Sequence, residues 1–322
     1  MSLFISLLEQ LADGRFHSGE ALGQQLGVSR SAIWKTLQQC EALGLEIHAV
    51  QGKGYRLATA LELLRADKIL AALPAAMNGI PLQLDVRREL ASTNACLMEQ
   101  ADWHAKVCLA EYQQAGRGRR GRQWVSPFGA NLYLSLGWRF LLDAAALSGL
   151  SLTAGVAIMR ALETLKIRGV GLKWPNDIVH DGRKLGGILI EMRSEAGGPS
   201  QVVIGVGLNV NMPASAVAAV DQPCSDLQQC TQEKISRNTL AAAVLAELVQ
   251  ACQVCEQGAI TAYLEDWQRY DIHAGKKVSL LLPDERRISG LSRGIDSQGA
   301  LLVERDGKVQ RFSCGEVSLR GQ

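Results

Sequence analysis

The 322-residue sequence lacks any uninterrupted apolar run of the roughly 20 residues needed to cross a membrane. Its apolar start, Met1–Leu8, has no basic stretch ahead of it and no small-residue cleavage site, and Glu9 and Asp13 interrupt it. We therefore interpret this start as a first helix rather than a secretory signal. The sequence predicts a protein that does not associate with membranes.

An excess of charge of either sign is also missing, because 34 lysines and arginines are balanced by 32 aspartates and glutamates, for a net charge of +2. That balance does not predict nucleic-acid binding by the molecule as a whole, so any DNA contact has to come from a local patch. The apolar content of 47% is ordinary for a globular protein, and the length suggests two or three domains.

Cysteine is sparse, with eight scattered residues, and a chain of this length can bury its own core without disulfides. Cys252 and Cys255 form a C-x-x-C pair, but the pair lies within a helical pattern and has no partner pair nearby to complete a zinc site. The pattern predicts reduced thiols and a cytoplasmic protein.

Arginine and glycine are concentrated in one stretch, Gln113–Arg122, which holds four arginines and three glycines. Apolar segments at Val107–Ala110 and Asn131–Leu136 flank it and predict two strands, so the stretch is a loop. Glycine permits close backbone approach, and arginine binds phosphate or carboxylate through its planar fork. We expect this arginine loop to be partly disordered when empty and ordered by a phosphate-bearing ligand.

Two other interpretations of the arginine loop compete with this one. Gly116, Gly118 and Gly121 match the dinucleotide fingerprint G-x-G-x-x-G, but that fingerprint requires a helix to begin at the glycines. Here Pro127 and then a predicted strand follow, so we reject it. A solvated basic loop that touches nucleic acid remains an alternative.

Residues 1–60 follow a winged helix-turn-helix pattern. Ser18 and Ser29 are placed to cap two helices on either side of a glycine-containing turn, and apolar residues recur at helical spacing after each serine. Two short stretches, Glu46–Val50 and Tyr55–Leu57, flank a glycine-containing tip and predict the hairpin of a wing.

The second of these helices and the wing carry polar and basic side chains on faces predicted to be exposed. Such side chains suit contacts with phosphates and base edges in a major groove. The alternative is a unit that binds protein or only packs against the rest of the chain. The residues predicted to contact DNA are Ser29, Arg30, Ser31, Trp34, Lys35, Gln38 and Lys53.

The remainder divides into two predicted domains. Residues 61–272 mix helical and strand patterns, beginning with a predicted linker helix over Leu61–Leu73. Within this domain, Pro213–Gln232 lacks periodicity and predicts a mobile loop. Residues 273–322 contain short strands separated by tight turns, one of them at Pro283–Asp284, which predicts a small barrel.

Four further stretches carry polar or charged residues, and the last two of them also contain glycines: Ser92–Asn94, Lys173–Asp177, Arg183–Glu191 and Gly205–Asn211. Together with the arginine loop they resemble the motifs of biotin–protein ligases. With the N-terminal unit, the chain resembles the bifunctional members of that family, which also repress the biotin operon. The resemblance implies an α+β multidomain fold, with an N-terminal winged helix-turn-helix, a central α/β ligase domain with a mixed sheet and a C-terminal SH3-like β-barrel.

The resemblance also implies a two-step reaction. ATP activates biotin to biotinyl-5′-AMP, and the biotin then passes to a lysine of a biotin carboxyl carrier protein, a subunit of acetyl-CoA carboxylase. ATP and biotin are substrates, Mg²⁺ assists, and no tightly bound prosthetic group is expected. The adenylate-bound protein is expected to form a homodimer on operator DNA of the biotin biosynthesis genes, with the adenylate as corepressor.

By the same resemblance, Arg119 and Lys184 are the expected catalytic residues, and they contact the carboxylate and the α-phosphate. Asp177 is a possible magnesium ligand, and no metal site is certain. The residues expected to bind biotin are Ser92, Thr93, Asn94, Gln113, Gly116, Arg117, Gly118, Arg119, Lys184, Gly187 and Asn209. Those expected to bind ATP or the adenylate are Arg119, Arg122, Trp124, Lys173, Asn176, Asp177, Lys184 and Asn209.

Two other functions remain open. A lipoate-type ligase would use a related acyl-adenylate on a similar domain. A repressor that only senses a small anion would bind ligand without releasing AMP. The absence of a Ser-His-Asp or Cys-His pattern is consistent with adenylate chemistry, which needs positioning and electrostatic stabilisation rather than an enzyme nucleophile.

Overall fold

The computed structural model describes residues 2–194, 198–258, 260–282, 285–313 and 318–321. The turn predicted at Pro283–Asp284 lies outside the described residues. The helices are α1 (Leu3–Leu11), α2 (Gly19–Leu26), α3 (Arg30–Ala42), α4 (Ala66–Ala71), α5 (Thr93–Met98), α6 (Leu150–Thr164), α7 (Ala214–Ala218), α8 (Arg237–Glu256) and α9 (Ile260–Tyr270).

The strands of the described residues fall into three sheets. The first holds β1 (Ile47–Val50) and β2 (Gly54–Leu57). The second holds β3 (Gln83–Leu90), β4 (Lys106–Gln113), β5 (Asn131–Phe140), β6 (Val170–Lys173), β7 (Asp177–His180), β8 (Arg183–Ser194) and β9 (Ser200–Asn209). The third holds β10 (Lys277–Leu281), β11 (Arg287–Ile295), β12 (Leu301–Arg305), β13 (Lys308–Phe312) and β14 (Ser318–Gly321).

The N-terminal domain packs α1, α2 and α3 around an apolar core, and β1 and β2 pair as an antiparallel wing. Ser18 and Ser29 cap α2 and α3, because each side-chain oxygen accepts a backbone N–H three residues later, at 3.0 and 3.2 Å. Gly23 lets α2 pack closely against the turn before α3, since a Cβ there would lie 2.8 Å from the Val28 carbonyl oxygen. The predicted winged helix-turn-helix is confirmed.

The segment that joins this domain to the next is extended where a helix was expected. The helix predicted over Leu61–Leu73 is limited to α4. The backbone groups before α4 bond to other segments instead of to one another: Leu61 N–H donates to the Ala12 carbonyl and Leu64 N–H to the Glu111 carboxylate. The prediction of a linker helix over the whole range is therefore wrong.

The central domain is built on the seven-stranded mixed sheet, in the order β3-β4-β5-β9-β8-β7-β6. Only β3 and β4 are parallel; the other neighbours are antiparallel. The β5–β9 register places Asn131 opposite Asn209 and Ser135 opposite Gly205. Because side chains alternate along a strand, these positions share one face, while Ile204 and Leu208 of β9 enter the apolar core on the other.

Helix α6 packs against α8 and α9 to cover that core. Helix α8 is the one helix of the described chain long and apolar enough to cross a membrane, with a mean hydropathy of 1.3, but 67% of it is buried inside the domain. Its apolar residues therefore serve packing. Cys252 and Cys255 are free thiols buried in this helix.

The C-terminal domain is an antiparallel sheet in the order β13-β12-β11-β10-β14. Its turn before β12 docks on the central domain, where the buried Trp174 indole N–H donates to the Gly299 carbonyl at 3.1 Å. Gly299 has a φ of +80°, and a Cβ there would lie 2.9 Å from a methyl group of Leu152. The Lys173–Asp177 motif is thus in direct contact with the C-terminal domain.

Candidate active site

A cavity of about 340 Å³ lies on the face of the central sheet that carries Gly205, Gly207 and Asn209 of β9. This size falls within the roughly 300–1,000 Å³ typical of small-molecule sites. The arginine loop, the Lys173–Asp177 segment and the start of β8 converge on it. The structure thus brings together motifs that lie far apart in the sequence.

Nearly all of the residues predicted to bind biotin or nucleotide line this cavity, and Gly116 is the one that does not. Gly116 lies beneath the cavity wall, where a Cβ would sit 2.6 Å from the Trp124 carbonyl oxygen and 2.8 Å from the Ser126 hydroxyl. Its contribution is therefore close backbone packing that shapes the loop. A larger residue at this position would displace Trp124.

One end of the cavity is a buried network of neutral hydrogen-bonding groups. The Gln113 side-chain oxygen accepts the Thr93 N–H at 2.9 Å and the Thr93 hydroxyl at 3.2 Å. Gln113 Nε2 donates to the Ser126 hydroxyl at 3.1 Å. The Ser135 hydroxyl lies 2.7 Å from Thr93 Oγ1 and 2.6 Å from Asn94 Oδ1. Such fixed amides and hydroxyls can recognise a ligand that presents both a carbonyl and N–H groups.

Asn94 extends this network towards the arginine loop. Its Nδ2 donates to Glu191 Oε2 at 2.8 Å, and the other Glu191 oxygen lies 3.4 Å from an Arg117 guanidinium nitrogen. Ser92 caps α5 at the cavity wall, accepting the Ala95 N–H at 3.5 Å. Ser92 therefore combines an ordinary capping contact with a position at the cavity.

The cavity also has a strongly cationic lining. Six basic side chains line the cavity, whereas only two of its lining residues, Asp177 and Asp221, carry a carboxylate. The basic residues are Arg117, Arg119, Arg120, Arg122, Lys173 and Lys184. Lys184 Nζ lies 2.6 Å from Asp177 Oδ1 and 5.5 Å from the centre of the Trp124 ring. An ammonium held between a carboxylate and an aromatic face is positioned for an anion and is only 19% exposed.

Arg119 is held beside Lys184 by the Lys173–Asp177 segment. Its Nη1 donates to Asn176 Oδ1 at 3.2 Å, and Asn176 Nδ2 donates to the Ile188 carbonyl at 2.8 Å. The Ile188 N–H in turn donates to the Asn176 carbonyl at 2.9 Å. Asn176 is therefore fixed by β8 and orients the guanidinium, so two cations face the cavity at one place.

Glycines make room for the side chains at both ends. A Cβ on Gly205 would lie 2.1 Å from Asn94 Oδ1, and one on Gly207 would lie 2.7 Å from the Trp124 ring. The alternating glycines of β9 therefore admit Asn94 and Trp124 against the sheet. This alternation is a signal in the sequence that could have marked both positions as part of the cavity wall.

Sequence reasoning missed two features of the site. One is the part of the cavity wall formed by Ala219–Cys224, and the other is the buried Ser135. Part of the predicted mobile loop, Pro213–Gln232, is ordered into α7, and Pro223 and Ser225 pair through their backbones with Lys184. The contact lies in backbone groups, which carry no residue signature. Burial raises the pKa of the Cys224 thiol, so this cavity cysteine is not an activated nucleophile.

The residues predicted to contact DNA lie on α3, at its N-terminal cap and at the tip of the wing between β1 and β2. All are exposed, and Trp34 is 52% exposed although it is aromatic. Ser29 is engaged as the cap of α3. On the wing, Lys53 and Arg56 lie over the Phe16 ring, 5.9 and 5.2 Å from its centre.

Comparison with known proteins gives three family matches in chain order. Residues 5–56 match the HTH domain, residues 88–209 the biotin/lipoate A/B protein ligase family, and residues 273–320 the biotin protein ligase C terminal domain. The described cavity falls mainly within the second match.

Relatives cover nearly the whole chain. The bifunctional ligase/repressor BirA of Escherichia coli is 43% identical over 318 residues, which is 98% of this chain and 97% of the relative. The Bacillus subtilis protein of the same name is 30% identical over 327 residues, with the same shares. A solved structure, the biotin protein ligase of Aquifex aeolicus in complex with biotin and ATP, matches with a TM-score of 0.64 and 26% identity over 74% of this chain and 99% of that one.

Proposed function

This chain belongs to the bifunctional ligase/repressor family, and we propose that it activates biotin with ATP and transfers it to a lysine of a biotin carboxyl carrier protein. One observation carries the proposal: the cations Arg119 and Lys184 line the same cavity as the neutral hydrogen-bonding network of Thr93 and Gln113. Biotin has a ureido group and a carboxylate at opposite ends, and this arrangement matches them.

In the first step, a biotin carboxylate oxygen attacks the α-phosphorus of ATP, the bond from that phosphorus to the bridging oxygen breaks, and diphosphate leaves. Two anions must approach each other, so Arg119 and Lys184 reduce their repulsion and stabilise the charge that builds on the α-phosphate. The Thr93–Gln113 network fixes the other end of biotin and aligns the carboxylate. The product is biotinyl-5′-AMP.

In the second step, the deprotonated amine of the acceptor lysine attacks the acyl carbon, the bond from that carbon to the phosphate oxygen breaks, AMP leaves, and the nitrogen loses a proton to solvent as the amide forms. No side chain of this protein needs to form a covalent bond. What the cavity supplies is retention of a labile anhydride, and the wall formed by Ala219–Cys224 limits the access of water to it.

We propose that Asp177 would hold the Mg²⁺ that accompanies ATP. Among the described residues, no cluster of three or more His, Cys, Asp or Glu side chains forms a metal site. One carboxylate together with substrate phosphates is nevertheless the usual donor set for Mg²⁺, so Asp177 fits the ion. Bound there, the ion would neutralise phosphate charge.

The test is to incubate the protein with ATP, Mg²⁺, biotin and a biotin-acceptor domain, and to read the mass of the acceptor. We expect the gain of one biotinyl group and stoichiometric AMP. Lipoate in place of biotin separates the lipoate-type alternative, which would modify a lipoyl acceptor instead. Binding of biotin without AMP release would favour the alternative of a repressor that only senses a small anion.

We further propose that the winged helix-turn-helix represses biotin biosynthesis genes in the cytoplasm, because its exposed polar and basic residues lie on the recognition helix α3 and the wing. Lys35→Ala should weaken binding to operator DNA about tenfold and reduce the salt dependence of binding by roughly one ion. Fluorescence anisotropy on promoter DNA of those genes, across a salt series, measures both.

The matched control is Lys68→Ala, which removes an exposed lysine from α4, outside the DNA-binding domain. It should leave the affinity within about twofold. Equal losses in the two variants would show that only net charge matters and would contradict a specific role for α3.

We propose that the adenylate-bound protein is a homodimer. Leu141, just beyond β5, is 81% exposed, which suits a contact that forms when neighbouring loops become ordered. Sedimentation velocity at micromolar protein should show mostly monomer without ligand and more dimer with biotin and ATP, a shift driven by differential affinity for the two states. An identical distribution in both conditions would contradict the proposal.

A further inference from the structure

A deeply buried ion pair lies outside the cavity and takes no part in the chemistry above. Arg237 Nη2 is 2.8 Å from Glu111 Oε2, and the two side chains are 5% and 3% exposed. Such a pair adds little net stability, because desolvation offsets the attraction of the charges. The other partners of the two side chains indicate what the pair does.

On one side, the pair holds the extended linker. Arg237 Nη1 donates to the Glu62 carbonyl at 2.7 Å, and Glu111 Oε1 accepts the Leu64 N–H at 2.5 Å. The Glu62 carboxylate accepts the Arg237 backbone N–H at 2.5 Å and the Ser236 hydroxyl at 2.9 Å, at the start of α8. The linker is thus fixed to the central domain by side-chain contacts with its backbone.

Asn238, 3% exposed, completes this attachment. Its Nδ2 donates to Glu62 Oε1 and to the Leu63 carbonyl, at 2.8 and 3.0 Å, and its Oδ1 accepts the Arg65 N–H at 2.8 Å. Burial raises the pKa of the Glu62 carboxyl, but the hydrogen bonds from Asn238, Ser236 and Arg237 outweigh burial and lower it. Glu62 is therefore held as a carboxylate.

On the other side, Arg237 reaches the cavity wall through Asn131. Arg237 Nε donates to the Asn131 carbonyl at 3.0 Å. Asn131, fully buried, accepts the Val210 N–H at 3.0 Å, and its Nδ2 lies 3.4 Å from Asn209 Oδ1 and 2.9 Å from the Met212 sulfur. Asn209 and Met212 line the cavity. Asn209 lies four residues along β9 from Gly205, which packs against Asn94 of the neutral network, so we take the Asn209 end as the nucleotide end rather than the biotin end.

We propose that Arg237 is a positioning residue that couples the linker to the nucleotide end of the cavity. Through Asn131 it fixes the positions of Asn209 and Met212. Through Glu62 and Glu111 it fixes the position of the linker, which carries the DNA-binding domain. Loosening the linker then weakens nucleotide binding, and nucleotide binding tightens the linker, because coupling is reciprocal. The inference rests on the proposed ligase function, since it takes ATP as the ligand at that end.

The test uses the full chain with Glu62→Ala, which loosens the linker without touching the cavity or leaving Arg237 and Glu111 unpaired. We expect the KM for ATP to rise about tenfold, within the 5- to 150-fold range typical of coupled sites. The KM for biotin should stay within about twofold. Glu62→Gln keeps one acceptor oxygen and should recover part of the loss.

Two controls separate coupling from general loosening. Asp67→Ala removes another carboxylate of the same region, one that pairs on the surface with Arg65, and should change neither KM. Arg160→Gln breaks a half-buried ion pair with Asp266 between α6 and α9, and should lower stability without changing the ratio of the two KM values. An unchanged KM for ATP in Glu62→Ala, or a proportionate rise in both KM values, overturns the proposal.

Hydrogen exchange provides the reciprocal measurement and does not require turnover. Exchange of the Leu64 and Arg65 N–H groups, followed by mass spectrometry of the linker peptide, should slow about tenfold when biotin and ATP are added to the wild type. It should be fast and insensitive to ligand in Glu62→Ala. Ligand-independent exchange in the wild type overturns the coupling. A wild type that binds ATP and protects the linker but makes no diphosphate refutes the proposed ligase function and leaves the coupling supported.

Discussion

Lys184→Gln is expected to lower biotin-dependent exchange of diphosphate into ATP by about 10²- to 10³-fold, the effect of removing one preorganised donor from a transition state. Glutamine preserves a hydrogen-bond donor of similar reach but carries no charge. The ammonium is only 19% exposed and lies against the Trp124 ring, so water screens it poorly. Asp177 would also be left facing the triphosphate without its counter-charge.

The loss should fall mainly on kcat, because the charge on the α-phosphate grows as the carboxylate attacks. Lys184→Arg retains the charge with a different geometry and should recover part of the rate. Lys234→Gln, at an exposed lysine just before α8, is the matched control and should exchange at the wild-type rate. A change of less than threefold in Lys184→Gln would mean that Arg119 alone supplies the charge.

Much of the fold follows from local sequence signals. Ser18 and Ser29 cap helices because their side chains bond within the same turn, so a reader of the sequence needs only the neighbouring residues. The arginine loop is similar, because its glycines indicate backbone freedom and its arginines indicate a negatively charged ligand. Local determinants of this kind are predictable.

The linker could not be predicted in the same way. Leu61–Arg65 has an apolar pattern suited to a helix, yet its backbone bonds to Glu111 and Asn238, which lie about 47 and 173 residues away in the chain. Tertiary contacts override local propensity here. Ser135 was missed for a related reason, because only the β5–β9 register places it beside Thr93 and Asn94.

Arg119→Gly is expected to release biotinyl-5′-AMP about ten- to a hundredfold faster than the wild type. The guanidinium is held by Asn176, whose neighbour Asp177 pairs with Lys184, and we expect the adenylate phosphate to lie by these two cations. Losing one charge-assisted contact costs roughly 1.5–3 kcal/mol, which corresponds to that range of retention. Glycine also adds backbone freedom to the arginine loop.

Escaped adenylate is an acyl donor that reacts with any exposed lysine. The variant should therefore label a bystander protein with biotin, without selection, even if it makes the adenylate more slowly. The measurement is biotin on an unrelated protein incubated with ATP, Mg²⁺ and biotin, divided by the adenylate formed. Wild type should give little labelling, because its transfer is confined to the acceptor lysine.

Arg120→Gly is the matched control for the loss of one arginine from the same loop. Arg120 is exposed and has a φ of 57°, so glycine fits its backbone without strain. Because its side chain lies farther into solvent than that of Arg119, this variant should label the bystander much less per adenylate. Equal labelling by the two variants would show that the stiffness or total charge of the loop retains the adenylate. If Arg119→Gly instead retains the adenylate as well as the wild type does, Arg119 does not hold the phosphate.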